Sequence, residues 1–346
     1  MKQVILKYEI NKPMKFLICG AGSIGERHIR NLLAIGEKDI NILRRRVQPL
    51  RTVDQQFSTF INLQEAIDSK PDAAFITNPT SLHIPLALRL AEAGIHLFIE
   101  KPLSDSLQDV KALDTITKRK KLIIQMGFMM RYHPAILQIK KWIDDGIIGS
   151  PLSARVMWGE YLPQWHPWED YKKGYSARKD LGGGPIFTLS HDIDLLTWFF
   201  GEVKNTFSLK AKKSSLNIPA EDNVEILLEY KNGFIAESHL DYIELPAKRV
   251  WDILGDNGRI EFNYYENILT LYKKKKDKYK EEGVNYENFD RNDMFILELK
   301  DFLKNIKEGI TPNANLKNGV ENLKILLAIQ KSIKEKRVIS LKELDV

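Results

Sequence analysis

Lys101 stands between Glu100 and Pro102, directly after the apolar run 94–99, and His191 lies seven residues beyond the triplet Gly182-Gly183-Gly184. An ammonium can hydrogen-bond a substrate oxygen and stabilise charge developing on it, and an imidazole can take a hydroxyl proton near neutral pH. Together they suit chemistry at a C–OH or C=O group. Neither is specific alone, since proline often ends a strand and a helix histidine is often structural. Their weight comes from the elements that must position them.

Residues 94–99 are short, apolar and partly β-branched, as in a buried parallel strand. Ligands in open α/β sheets bind outside the carboxyl ends of strands, so Lys101 is expected to reach a crevice there, with Pro102 fixing the backbone and the Lys-Pro bond a candidate for cis. A second strand, 15–19, runs into Gly20-Ala21-Gly22-Ser23-Ile24-Gly25 and then a helical pattern to about residue 35. This order matches a dinucleotide fingerprint. Gly20 makes the tight turn, Gly22 lets a pyrophosphate approach, Gly25 allows close helix packing, and the helix start at Ser23 and Ile24 offers amide donors. After the next strand, 39–43, an NAD-specific protein usually presents an acidic residue to the ribose; here Arg44-Arg45-Arg46 follow. Guanidinium groups suit a 2′-phosphate and stack on adenine, so Arg44 and Arg45 point to NADP, with NAD the alternative.

The chain has 346 residues, too long for one ordinary core, so two domains are expected, preceded by an extension at 1–13. Strands at 72–77 and 121–126 and a helix at 84–93 continue the alternation, which implies a doubly wound parallel sheet over 14–131. Asn78-Pro79-Thr80-Ser81-Leu82-His83 follows one of these strands. From 132 to 346 the pattern changes. A helix at 133–144 leads to candidate strands at 152–161, 203–213, 223–230, 234–241, 248–254, 258–263 and 268–273, and Asn232-Gly233 and Asn257-Gly258 supply hairpin turns. A largely antiparallel sheet is expected, with one helix at 185–200 and two more at 291–308 and 316–335. No stretch has the length or apolarity of a membrane span, and no signal segment is evident at the start, so a cytoplasmic location is expected. Cys19 alone permits no internal disulfide and reads as a buried thiol. Net charge is +6, much of it in Lys273–276, which reads as a solvated loop and not as a nucleic-acid patch.

Between 158 and 175 stand Trp158, Tyr161, Trp165, Trp168, Tyr171 and Tyr175, with Glu160, Pro163, His166 and Pro167 among them. Such a loop is costly to expose, and aromatic faces beside polar groups suit sugar rings; the alternative is a subunit contact or satellite core. Pro185 is placed to open a helix on which His191 and Asp194 share a face with Phe187 and Leu195. No metal is expected.

Taken in order, the glycine fingerprint, Asn78-Pro79-Thr80-x-x-His83, Glu100-Lys101-Pro102, Gly127-Phe128-x-x-Arg131 and the triple glycine followed by His191-x-x-Asp194 resemble the motifs of the Gfo/Idh/MocA oxidoreductases over about residues 14–335. The resemblance implies a Rossmann domain, a C-terminal α+β domain with a large open sheet, and homodimers or homotetramers formed through that sheet. It carries catalytic roles onto Lys101 and His191, with Asn78, Pro79, His83 and Glu100 around the nicotinamide and Arg131, Tyr161, Trp165, His166, Tyr175 and Asp194 toward substrate. Many members of that family have an acid four positions before the histidine; here Phe187 stands there. The segment 165–178 resembles a subgroup associated with surface-sugar and nucleotide-sugar pathways. The implied activity is hydride transfer between a nicotinamide and a secondary alcohol or ketone of a sugar or nucleotide sugar. The alternatives are an NAD-dependent glycosidase and a non-catalytic NADP(H)-binding sensor.

Overall fold

The computed structural model describes residues 13–344 apart from Lys213 and Asp277, so the expected extension at 1–13 lies outside the described residues except for Pro13. The first half is a six-stranded, all-parallel sheet ordered β3-β2-β1-β4-β5-β6. Its strands are β1 (Phe16–Cys19), β2 (Ile40–Leu43), β3 (Ser58–Phe60), β4 (Ala73–Ile76), β5 (His96–Glu100) and β6 (Ile124–Gly127). Helices α1 (Ser23–Ala34), α2 (Leu63–Asp68), α3 (His83–Glu92) and α4 (Val110–Lys120) connect them. β1 and β4 are buried along their full length, Cys19 included, as strands covered on both faces must be. Strand order reverses between β1 and β4, which opens a crevice at their carboxyl ends.

After α5 (Pro134–Asp144) comes β7 (Pro151–Gly159), then α6 (Pro185–Thr188), α7 (His191–Phe200) and the strands β8 (Val203–Ala211), β9 (Asn223–Tyr230), β10 (Ile235–Asp241), β11 (Lys248–Gly255), β12 (Gly258–Asn263), β13 (Ile268–Lys275) and β14 (Lys278–Asn285). Helices α8 (Arg291–Glu308) and α9 (Leu316–Glu335) and the short β15 (Ile339–Ser340) complete the described chain. The second sheet runs β14-β13-β12-β11-β7-β10-β9-β8-β15 and is antiparallel except where β7 meets β10. Both expected Asn-Gly turns join antiparallel neighbours, β9 to β10 and β11 to β12. The fold class expected from the sequence is borne out. Among the described residues no helix is long and apolar enough to cross a membrane.

Three expectations need correction. The helix expected at 185–200 is two helices, broken at Leu189 and Ser190. The Thr188 carbonyl, which a continuous helix would offer to the Asp192 amide, instead accepts a hydrogen bond from the Lys101 ammonium. Lys273–275 do not form a loop but pair with β14 in a hairpin. Lysines along this edge discourage pairing with another chain. The alternation between β2 and β4 also holds a strand and a helix, β3 and α2, that the sequence reading passed over. α2 is capped by the Asn62 side chain, which accepts from the Gln64 amide at 2.7 Å.

One helix from the second half completes the core of the first. Leu299, Phe302 and Leu303 of α8 pack with Phe16, Phe75 and Phe98 against the parallel sheet. The Phe75 and Phe98 rings stack at 5.1 Å, and Phe302 meets both edge-on. This packing brings the start of α8 beside the crevice.

Candidate active site

The glycine turn is shaped for close approach. Gly20 has φ +105°, and a Cβ there would lie 2.9 Å from the Asn78 amide nitrogen; at Gly25 a Cβ would lie 2.0 Å from the Gly20 oxygen. Thr77 holds the turn by donating its hydroxyl to the Gly20 oxygen at 2.6 Å. Gly22, by contrast, has nothing within 4 Å of its Cβ position, and α1 has no side-chain cap. Its first-turn amides at Ser23, Ile24 and Gly25 are left for an anion. Beside them lies a cleft of about 410 Å³ lined by Gly22, Arg44, Arg45, Arg46 and Arg51. Glu26 fixes the cleft's outer loop, its carboxylate accepting from the amides of Arg51 and Thr52 at 2.9 Å each. The buried Asn78 Oδ1 has no partner among the described residues. These features fit a dinucleotide with its pyrophosphate at α1 and its adenosine end among the arginines.

Lys101 follows β5, and its bond to Pro102 is cis. The half-buried ammonium donates to the Thr188 carbonyl of α6. Burial pushes its pKa down to about 8; the Glu100 carboxylate opposes that fall, and Arg249 and Arg291 add to it. His191 opens α7 and is buried, and its pKa lies well below the ordinary histidine value because of burial and the positive charges of Lys101, Arg249 and Arg291. The imidazole is therefore neutral, with a ring nitrogen lone pair that can accept a hydrogen bond. Its Nδ1 has no partner among the described residues, and its ring stacks on Trp158 at 6.1 Å. Phe187 is buried within α6.

Several residues assigned from the sequence have other partners. The Arg131 guanidinium donates from Nε and Nη2 to the Asp194 carboxylate at 2.9 and 2.6 Å, and from Nη1 to the Asn313 carbonyl at 2.8 Å. Both side chains are buried and spent on each other, which ties α7 to the turn after β6 and to the segment leading into α9. His83 lies with Nδ1 3.0 Å from the Pro102 oxygen and Nε2 2.8 Å from the Asn78 oxygen, clamping the two crevice turns together. Glu100 accepts from His28 of α1 at 2.8 Å. Pro79 caps the short turn that leads into α3.

On the aromatic segment, the Tyr175 hydroxyl bonds Thr80 at 2.6 Å and donates to the Gly182 oxygen at 3.0 Å, joining the two halves of the chain. Burial pushes its phenol up to about 12. Trp165 meets Tyr242 edge-on at 5.3 Å and Tyr161 packs on the core, while His166 meets the exposed Trp168 at a tilt, 5.1 Å between ring centres. Trp165 Nε1 and His166 Nδ1 are buried and unpartnered among the described residues.

The sequence places Glu160 in the aromatic segment without a role at Lys101 and His191, and gives no place there to Arg249. Arg249 of β11 is buried, lies 3.8 Å above the Trp158 ring, and is ion-paired with Asp192. Glu160 accepts from Trp158 Nε1 at 2.8 Å and from the Tyr265 hydroxyl. Period-two alternation could have found both. Arg249 precedes the inward Trp251 and Ile253, and Glu160 continues the inward series Ala154, Val156 and Trp158.

Comparison with known proteins finds one family across both halves of the chain. The profile of an oxidoreductase family with an NAD-binding Rossmann fold matches residues 14–128, and that of the same family's C-terminal α/β domain matches residues 140–341. A myo-inositol 2-dehydrogenase of Thermotoga maritima is 27% identical over 95% of this chain and 99% of its own length. An inositol 2-dehydrogenase/D-chiro-inositol 3-dehydrogenase of Lactiplantibacillus plantarum is 26% identical over 73% of this chain and 72% of its own. Among solved structures, a levoglucosan dehydrogenase in complex with NADH shares the fold at a TM-score of 0.84, with 20% identity over 95% of this chain and 99% of that one. With both halves matched in order, the chain belongs to the Gfo/Idh/MocA family of oxidoreductases.

Proposed function

We propose that the protein is a dehydrogenase or reductase acting on a secondary alcohol or ketone of a cyclic polyol or sugar, with NADP(H) preferred over NAD(H). The observation that carries the activity is the placement of Lys101 and a neutral, buried His191 in one electrostatic site at the mouth of the cofactor crevice. Similarity to inositol dehydrogenases supports a polyhydroxylated substrate. The aromatic segment is compatible with a nucleotide sugar.

A bound dinucleotide supplies the hydride chemistry, held at Gly20, Gly22, Ser23, Ile24 and Gly25, with Asn78, Pro79 and Glu100 shaping the crevice near Lys101. Lys101 donates to the reacting oxygen and stabilises charge developing there. His191 takes the hydroxyl proton in oxidation and returns it in reduction. Phe187 can do neither, so the pair works without an acid from α6. The preference for NADP rests on Arg44, Arg45, Arg46 and Arg51 around one cleft, where guanidinium groups suit a phosphate dianion.

The outer face of the second sheet exposes Leu209, Leu227, Ile235, Leu152 and Leu254 on the adjoining strands β8, β9, β10, β7 and β11, each about half accessible. This supports assembly of identical chains through that face.

The activity is tested by initial rates of nicotinamide reduction with NADP or NAD against inositols, levoglucosan, free sugars and nucleotide sugars. Turnover of one class supports the proposal. Tight cofactor binding without turnover across the panel would favour a sensor instead.

A further inference from the structure

We propose that Glu160 supplies the carboxylate of this site and orients the substrate by accepting a hydrogen bond from the hydroxyl group next to the reacting carbon, so that the ligand class is a neutral polyol bearing a vicinal diol. This inference rests on the dehydrogenase reading and deepens it.

Glu160 is the first residue past β7, and the strand's alternation turns it to the same side as Ala154, Val156 and Trp158. Trp158 links it to the reacting pair. The indole stacks on His191 at 6.1 Å, lies 3.8 Å from the Arg249 guanidinium carbon, and donates Nε1–H to Glu160 Oε1 at 2.8 Å. The Tyr265 hydroxyl donates to the same oxygen. Two donors thus fix one carboxylate oxygen, while Oε2 accepts no hydrogen bond among the described residues. An ionised carboxylate has about four acceptor positions, so Glu160 keeps capacity for ligand hydroxyls.

The carboxylate also lies within electrostatic reach of Lys101, whose pKa it draws upward against burial, and of Arg249. Among the described residues, neither side chain forms an ion pair with it. Position 187, where the family resemblance calls for an acid, holds a buried phenylalanine. A rigid acceptor beside Lys101 and His191 therefore reaches the site from β7 instead of α6. Short charge-assisted O–H···O⁻ bonds to a diol would select which ring hydroxyl meets Lys101.

The test compares wild type, Glu160→Gln and Glu160→Ala on the polyol that wild type turns over and on its monodeoxy analogues. Glutamine keeps an oxygen for Trp158 and Tyr265, so cofactor affinity and melting temperature should match wild type. On the parent polyol kcat/KM should fall about 100-fold, because a site built to accept a hydroxyl loses its charged acceptor. On the one analogue lacking the bound hydroxyl, the two enzymes should become equal, which a merely structural role would not produce. A Glu160→Gln value within about threefold of wild type on the parent polyol, or an equal loss on every analogue, overturns the inference and leaves the dehydrogenase reading standing. Wild-type turnover of nucleotide sugars alone overturns the inference and leaves the dehydrogenase reading standing, and absence of turnover across the whole panel overturns both.

Discussion

Replacing Asp194 with asparagine should destabilise the protein while leaving substrate affinity nearly unchanged. Asp194 and Arg131 have side chains only 3% and 5% exposed, and they form a two-point ion pair. Asparagine preserves volume and one acceptor but leaves the guanidinium charge uncompensated in the interior. Breaking a buried pair from one side costs about 3–5 kcal/mol. For 346 residues the unfolding entropy is about 0.7 kcal/mol per degree, so the melting temperature should drop by about 4–7 °C. Differential scanning calorimetry of wild type, Asp194→Asn, Arg131→Met and the double variant Arg131→Met/Asp194→Leu would measure this. The double variant should be more stable than either single one, because no charge is stranded. If Arg131 instead met substrate directly, Asp194→Asn would raise KM and leave the melting temperature within about 1 °C; that result would refute the assignment of this pair to the scaffold.

Three further outcomes are expected. His239 is drawn up to about 9 by its bond to Asp241 at 2.9 Å, against partial burial, with Glu225 adding to the rise. Its stabilising contribution is therefore complete below about pH 6.5 and is lost as pH rises through about 9; thermal melts from acid to alkaline pH should show that decline in wild type and a flatter profile in His239→Gln, and parallel profiles would contradict it. The double variant Arg44→Ala/Arg45→Ala should weaken NADP binding about 100-fold and NAD binding by less than about threefold in titration of protein fluorescence; equal losses would remove the 2′-phosphate role. Ile235→Glu/Leu227→Glu should convert an assembled species to monomer in light scattering, and an unchanged mass would place any interface elsewhere.

Much of the cofactor half was legible because its constraints are local. The glycine turn demands particular residues at fixed spacing, and buried parallel strands such as Phe16–Cys19 declare themselves by composition. The ranges expected for helices α8 and α9 match those of the structure. The missed features depend on partners distant in sequence. The break between α6 and α7 arises where Lys101, 87 residues earlier, takes the Thr188 carbonyl. β14 has no buried face, so no alternation marks it. Motif order alone cannot tell that Arg131 is occupied by Asp194, or that Glu160 and Arg249 converge on Trp158 from different strands.

The most direct test of the central claim is reduced-nicotinamide absorbance followed for wild type and Lys101→Met on the substrate panel, with cofactor affinity measured in parallel. The account predicts turnover of a polyol or sugar by wild type, a loss of about 100- to 1000-fold in kcat for the variant, and unchanged cofactor binding. Turnover by Lys101→Met at the wild-type rate would contradict it.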